Sequence, residues 1–130
     1  MAFPTGIRSL PGYEMPVADK LLQAFDRTGP ASYTQFAAPA TGGDVLTANS
    51  GGLNRGGFDK VIGGVDSTGQ IVAYAVPTTG GYANSVPQVT IVYYSLVTAT
   101  LGGQAQTAGA QIAAATNLST FSWRFLAVMV

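Results

Sequence analysis

The densest hydrophobic pattern in the chain is Val89–Leu101, VTIVYYSLVTATL. Val89, Ile91, Tyr93, Val97 and Leu101 fall at even spacing, on one face of an extended strand. Val92, Tyr94 and Leu96 take the other face, so the strand is expected to be covered twice, by a second sheet, a partner chain or both. A second run, Phe121–Val130 (FSWRFLAVMV), places Phe121, Trp123, Phe125 and Met129 on one face and predicts a strand tied into a sheet. Phe58–Val65 and Gln70–Val76 read as two further strands. The sequence between them, Asp66-Ser67-Thr68-Gly69, has Asp first and Gly fourth, a common turn signal between antiparallel strands.

The remaining segments are weaker. Tyr33–Ala38 and Asp44–Ala48 are short strand candidates in a loop-rich stretch punctuated by glycine pairs. Gln104–Thr116 has one large apolar residue, Ile112; it leans to a strand edge or loop, with a short Ala-rich helix around Ala108–Ala115 left open. One short helix is expected at Pro16–Arg27. Proline suits a first helical turn, Leu21, Leu22 and Phe25 cluster on one side, and Gly29-Pro30 supplies a stop. Ahead of it, residues 1–15 hold Pro4, Gly6, Pro11 and Gly12 with Phe3, Ile7, Leu10 and Tyr13 between them. That stretch is too apolar for an ordinary charged tail and reads as an extended arm that orders against a surface, its own domain or another. The organisation is therefore an arm at 1–15 and one all-β antiparallel domain at 16–130, a sandwich or barrel with a short leading helix.

Charge changes this picture more than length does. The 130 residues include six Lys or Arg and six Asp or Glu, 9% of the chain against about 25% in an average soluble domain. No charged residue occurs between Asp66 and Arg124. So few ionic groups dress a lone globule poorly, and near-zero net charge favours association. An assembly component, a homo-oligomer, fits this composition better than a free enzyme.

Candidate chemistry is thin. Without cysteine or histidine the chain lacks a thiolate nucleophile, the commonest general base and the commonest transition-metal ligands. Carboxylates remain (Glu14, Asp19, Asp26, Asp44, Asp59 and Asp66), and a minimal hydrolase would need two of them, with Asp44, Asp59 and Asp66 the ones to test; five of the six have an ordinary turn, dipole or pairing role. No EF-hand or phosphate-cradling loop is readable, and no cofactor or metal is expected. Scattered cations argue against nucleic acid, and no apolar run reaches the roughly 20 residues that cross a bilayer. The opening residues do not read as a secretory signal. Asn117-Leu118-Ser119 matches the N-glycosylation pattern and, lacking such a signal, is taken as coincidental. Two residues stand out as interface candidates. Tyr82 lies in a Gly-rich loop and could stack on a sugar ring. Arg124, flanked by Trp123 and Phe125, could reach a neighbour's carboxylate or point to solvent.

The layout as a whole, a Pro/Gly-rich apolar arm (MAFPTGIRSLPGYEMP) followed by a charge-poor β domain ending in FSWRFLAVMV, resembles the small capsid decoration, or cement, proteins of tailed bacteriophages. The resemblance implies a jelly-roll-like sandwich, often trimeric, whose arms lie on the capsid shell. It implies a virion location, a major capsid protein or other virion subunit as partner, and a structural, non-enzymatic role. Phe3, Ile7, Leu10 and Tyr13 would then be outward anchors. The competing reading is a carbohydrate- or receptor-binding module of a tail or fibre.

Overall fold

The computed structural model describes residues 7–17, 20–37, 41–48, 56–77 and 86–129, and for residues 7–17 it describes the backbone alone. In chain order the strands are β1 (Ile7–Val17), β2 (Lys20–Thr28), β3 (Asp44–Thr47), β4 (Phe58–Ile62), β5 (Ile71–Pro77), β6 (Gln88–Ser95), β7 (Ala99–Leu101), β8 (Gln104–Gln106) and β9 (Ser122–Met129). Every strand pair is antiparallel, and no helix occurs among the described residues. The protein is all-β.

A four-stranded sheet runs in the order β1-β2-β9-β4, and a three-stranded sheet in the order β3-β6-β5. The C-terminal strand is central in the first. Trp123, Phe125, Ala127 and Met129 turn inward and are buried, whereas Arg124 and Leu126 face out. In the second sheet Val89, Ile91 and Tyr93 of β6 turn inward beside Ile71 and Ala73 of β5 and Leu46 of β3. These inward residues form one hydrophobic cluster shared by both sheets. Phe25 and Phe125, opposite each other in the register, stack with centroids 5.4 Å apart. Tyr93 and Trp123 meet across the cluster at 4.6 Å, and the Trp123 indole N–H donates to the Ile71 carbonyl at 3.0 Å. That bond removes the one polar atom of Trp123 from the list of groups burial would otherwise penalise.

The expected helix at Pro16–Arg27 is not present: β1 continues through Val17, and β2 begins at Lys20. The strand period was masked because two inward positions of β2 are polar. Gln23 is buried, and Arg27 is turned inward onto an acidic partner, so Leu21-Gln23-Phe25-Arg27 does not look like an apolar face. Leu21, Leu22 and Phe25 imitate a helical stripe, but β1 and β9 on either side of β2 give its backbone a ladder that a short isolated helix could not match.

Residues 7–15 of the expected arm lie in β1, paired with β2 at the edge of their own sheet. The register breaks between Ser9 and Glu14, where Pro11 and Gly12 fall; a proline cannot donate to a ladder and is tolerated at an edge or a bulge.

Two more expectations need correction. Val89–Leu101 is not one strand. β6 stops at Ser95, whose hydroxyl donates to the Val97 carbonyl at 2.6 Å, and Leu96 is left exposed. The chain then enters the small β7–β8 hairpin, whose turn is Gly102-Gly103 with both φ angles positive, as a tight two-residue turn requires. β4 and β5 are likewise not a continuous hairpin. The Asp66–Gly69 turn is present, closed by Gly69 N–H donating to the Asp66 carbonyl at 3.0 Å, and Val65 bridges Val72. Beyond that rung the strands part, β4 to β9 and β5 to β6. Gly63 marks the divergence, since a Cβ there would collide with the Ala73 carbonyl.

Candidate functional site

Alternation along β5 and β6 places Tyr74, Val76, Val92 and Tyr94 on the outward face of the three-stranded sheet. Tyr74 lies opposite Val92 and Tyr94 opposite Val72, so the two tyrosines are diagonal neighbours. Their rings meet edge to face, with centroids 5.5 Å apart and planes at 74°. Tyr74 is 52% exposed. With Phe36 and Gly109 these residues line an open groove of about 420 Å³.

Gln111 holds the walls. Its side-chain oxygen accepts from the Phe36 backbone N–H at 2.6 Å and from the Tyr33 hydroxyl at 2.7 Å, while its amide donates to the Phe36 carbonyl at 3.1 Å. A single side chain thus fixes the backbone of Phe36 against the end of β6, where Gln111 itself bridges Tyr94. The opposite wall is pinned by Gly109 N–H donating to the Ser95 carbonyl at 2.8 Å and Ser95 N–H donating to the Ala110 carbonyl at 3.0 Å. Burial pushes the Tyr33 hydroxyl up to about 12. It therefore stays a proton donor to Gln111 at any physiological pH.

A second cluster is buried between the sheets. The Arg27 guanidinium of β2 donates to both carboxylate oxygens of Asp44 on β3, at 2.7 and 3.2 Å. The Tyr93 hydroxyl of β6 donates to Asp44 at 2.8 Å. Burial opposes the charge on Arg27, but Asp44 overcomes it, so its pKa is raised. Burial, then the Asp44 charge, hold Tyr93 protonated well above the ordinary tyrosine range. The Asp44 carboxylate is matched by Arg27 on one side and by Tyr93 on the other, which makes the cluster a tie between sheets.

The sequence-derived candidates disperse. Arg124 bonds Asp26 of its own chain, at 2.8 and 3.3 Å, straight across β9 and β2 in the register. Ile7 pairs in register with Arg27, while Leu10 and Tyr13 fall within the irregular part of β1. Phe3 and Tyr82 lie outside the described residues. The three carboxylates do not converge: Asp44 holds Arg27, Asp59 accepts from Lys20 at 2.7 Å, and Asp66 caps its turn. Among the described residues no group of three acidic or other metal-ligating side chains is assembled, and no helix is long and apolar enough to cross a membrane.

The sequence missed the Phe36–Tyr74–Tyr94 grouping. Tyr74 and Tyr94 were readable as outward positions of their strands, but their adjacency depends on the β5–β6 register, and Phe36 arrives from a loop. The fold and groove define an all-β protein of antiparallel sheets with an aromatic surface recess. Comparison with family models, curated proteins and solved structures gives no match.

Proposed function

We propose that this chain is a structural subunit of a larger protein shell, a capsid decoration protein. In this reading it is built as a jelly-roll-like β-sandwich and acts as a homo-oligomer, a trimer, on the virion surface. The observation that carries the reading is where the apolar residues lie. Ile62 and Leu126, 48% and 36% exposed, are register partners on the outward face of the four-stranded sheet, and Val65 follows on the same chain segment as β4. Val45, Tyr74 and Leu96 are exposed elsewhere. With only twelve charged side chains in the whole chain to keep such surfaces apart, coverage by neighbouring subunits is the economical solution. β1 supports it too, as an edge strand in the apolar leading segment, available to pair or pack against a shell.

Sedimentation of the purified chain, alone and mixed with capsids assembled without it, tests this. The expected result is a species of three chain masses that co-sediments with capsids. Replacing Ile62→Ser together with Leu126→Ser should weaken one or both associations while leaving the β-sheet circular dichroism spectrum unchanged. A monomer at high concentration that stays in the supernatant overturns the proposal.

A further inference from the structure

We infer that the groove between Phe36, Tyr74 and Tyr94 is a binding site for a neutral carbohydrate, with the sugar ring seated on tyrosine. Three observations converge on this ligand class. First, among the described residues the lining, Phe36, Tyr74, Val76, Val92, Tyr94 and Gly109, contains no charged side chain. The outward face of the other sheet carries Arg124, Asp26 and Lys60, so among the described residues the lack of charge distinguishes the groove from that face. A groove without charge complements an uncharged occupant, and ionic ligands would lose hydration there without a partner.

Second, the two tyrosines are presented in a manner suited to an amphipathic ring. Tyr74 is held edge to face against Tyr94, so its orientation is set before any ligand arrives, yet more than half of its surface is open. A pyranose has an apolar C–H face and a rim of hydroxyls. An exposed phenol offers a flat apolar surface for the first and a hydroxyl for the second. Among the described residues neither tyrosine hydroxyl has a hydrogen-bond partner, which leaves both able to donate to or accept from a sugar hydroxyl.

Third, the walls are rigid without belonging to the hydrophobic core. Gln111 uses its side-chain oxygen and one amide hydrogen to fasten the Phe36 backbone, and the Ser95–Gly109 and Ser95–Ala110 bonds fasten the facing loop. Preorganised walls lower the ordering cost of binding, and about 420 Å³ lies within the roughly 300–1,000 Å³ typical of small-ligand sites. This inference does not rest on the shell reading, because it uses a different face and a different observable.

The test is titration of the full chain with cellohexaose, chitohexaose, maltohexaose and mannohexaose, followed by nuclear magnetic resonance of the tyrosine ring protons. At least one oligosaccharide should shift the Tyr74 and Tyr94 signals saturably. Tyr74→Ala should weaken that binding by roughly tenfold, the scale of one lost aromatic contact. Tyr74→Phe should retain most of it, and Leu96→Ala, exposed outside the groove, should leave it unchanged. Tyr74 is exposed, so the variants are expected to keep the wild-type circular dichroism spectrum; Tyr94→Phe, which removes only a hydroxyl, serves as a second variant and should bind more weakly. Three outcomes overturn the inference: no saturable shift with any of the four sugars, equal affinity in Tyr74→Ala, or a proline-rich decapeptide occupying the groove in their place. Sugar binding by a chain that fails to join capsids would leave this inference standing and remove the other.

Discussion

Arg27 and Asp44 are joined by two hydrogen bonds across the boundary between the sheets, with only 12% and 11% of their side chains exposed. They stand 17 positions apart in sequence, on strands that belong to different sheets. The pair, completed by Tyr93, is an ionic link between the two sheets.

Breaking that link from one side is expected to be costly. Asp44→Ala would leave a buried guanidinium and the Tyr93 hydroxyl without their acceptor, a loss of about 3–5 kcal/mol. The double replacement Arg27→Met with Asp44→Leu removes both charges together and should cost distinctly less than Asp44→Ala alone. Urea unfolding of the three proteins checks this; a double variant that loses as much as Asp44→Ala, or more, would show that the guanidinium left without its acceptor is not what makes the single replacement costly.

Asp66 predicts an acid-sensitive turn. Burial raises its pKa, but bonds from the Thr68 hydroxyl and from the Ile71, Thr68 and Gln70 backbone N–H groups outweigh burial, so the net shift is downward. A carboxylate with a depressed folded pKa contributes stability that is complete above its unfolded value, about 3.9, and is lost as pH falls through the folded value. Asp66→Asn should therefore destabilise by about 2 kcal/mol at neutral pH, the scale of losing charge-assisted bonds. The gap to wild type should narrow below pH about 4. Urea midpoints measured from pH 2 to 7 follow it.

At the alkaline end the tyrosines decide. Tyr33, raised to about 12, and Tyr93, raised well above its ordinary value, are protonated in the folded state beyond the pH where an unfolded tyrosine ionises. Their contribution is complete below about pH 10 and declines as pH rises toward the folded values. Tyr33→Phe should flatten that decline, read as the slope of unfolding free energy against pH between 9 and 12. An unchanged slope would place the alkaline sensitivity elsewhere.

The β7–β8 turn offers a paired test. Gly102 and Gly103 both have positive φ, but a Cβ on Gly102 would also strike Asn117 and Thr116, whereas Gly103 faces open space. Asparagine tolerates this backbone region. Gly103→Asn should be within about 0.5 kcal/mol of wild type, and Gly102→Asn should lose about 2 kcal/mol or more. Thermal denaturation distinguishes them.

Sequence alone established the elements whose physics is local. Inward alternation in FSWRFLAVMV, the Asp66–Gly69 turn and the all-β class follow from side-chain period and from turn chemistry, which need no distant partner. Tertiary structure decided the rest. Lys20–Thr28 is a strand because β1 and β9 accept and donate its backbone bonds, and because Asp44 neutralises the inward Arg27 that hid its period. Tyr74, Tyr94 and Phe36 form one groove because a particular register and one glutamine bring them together. Periodicity states which way a side chain faces, but only the pairing of strands states what it meets.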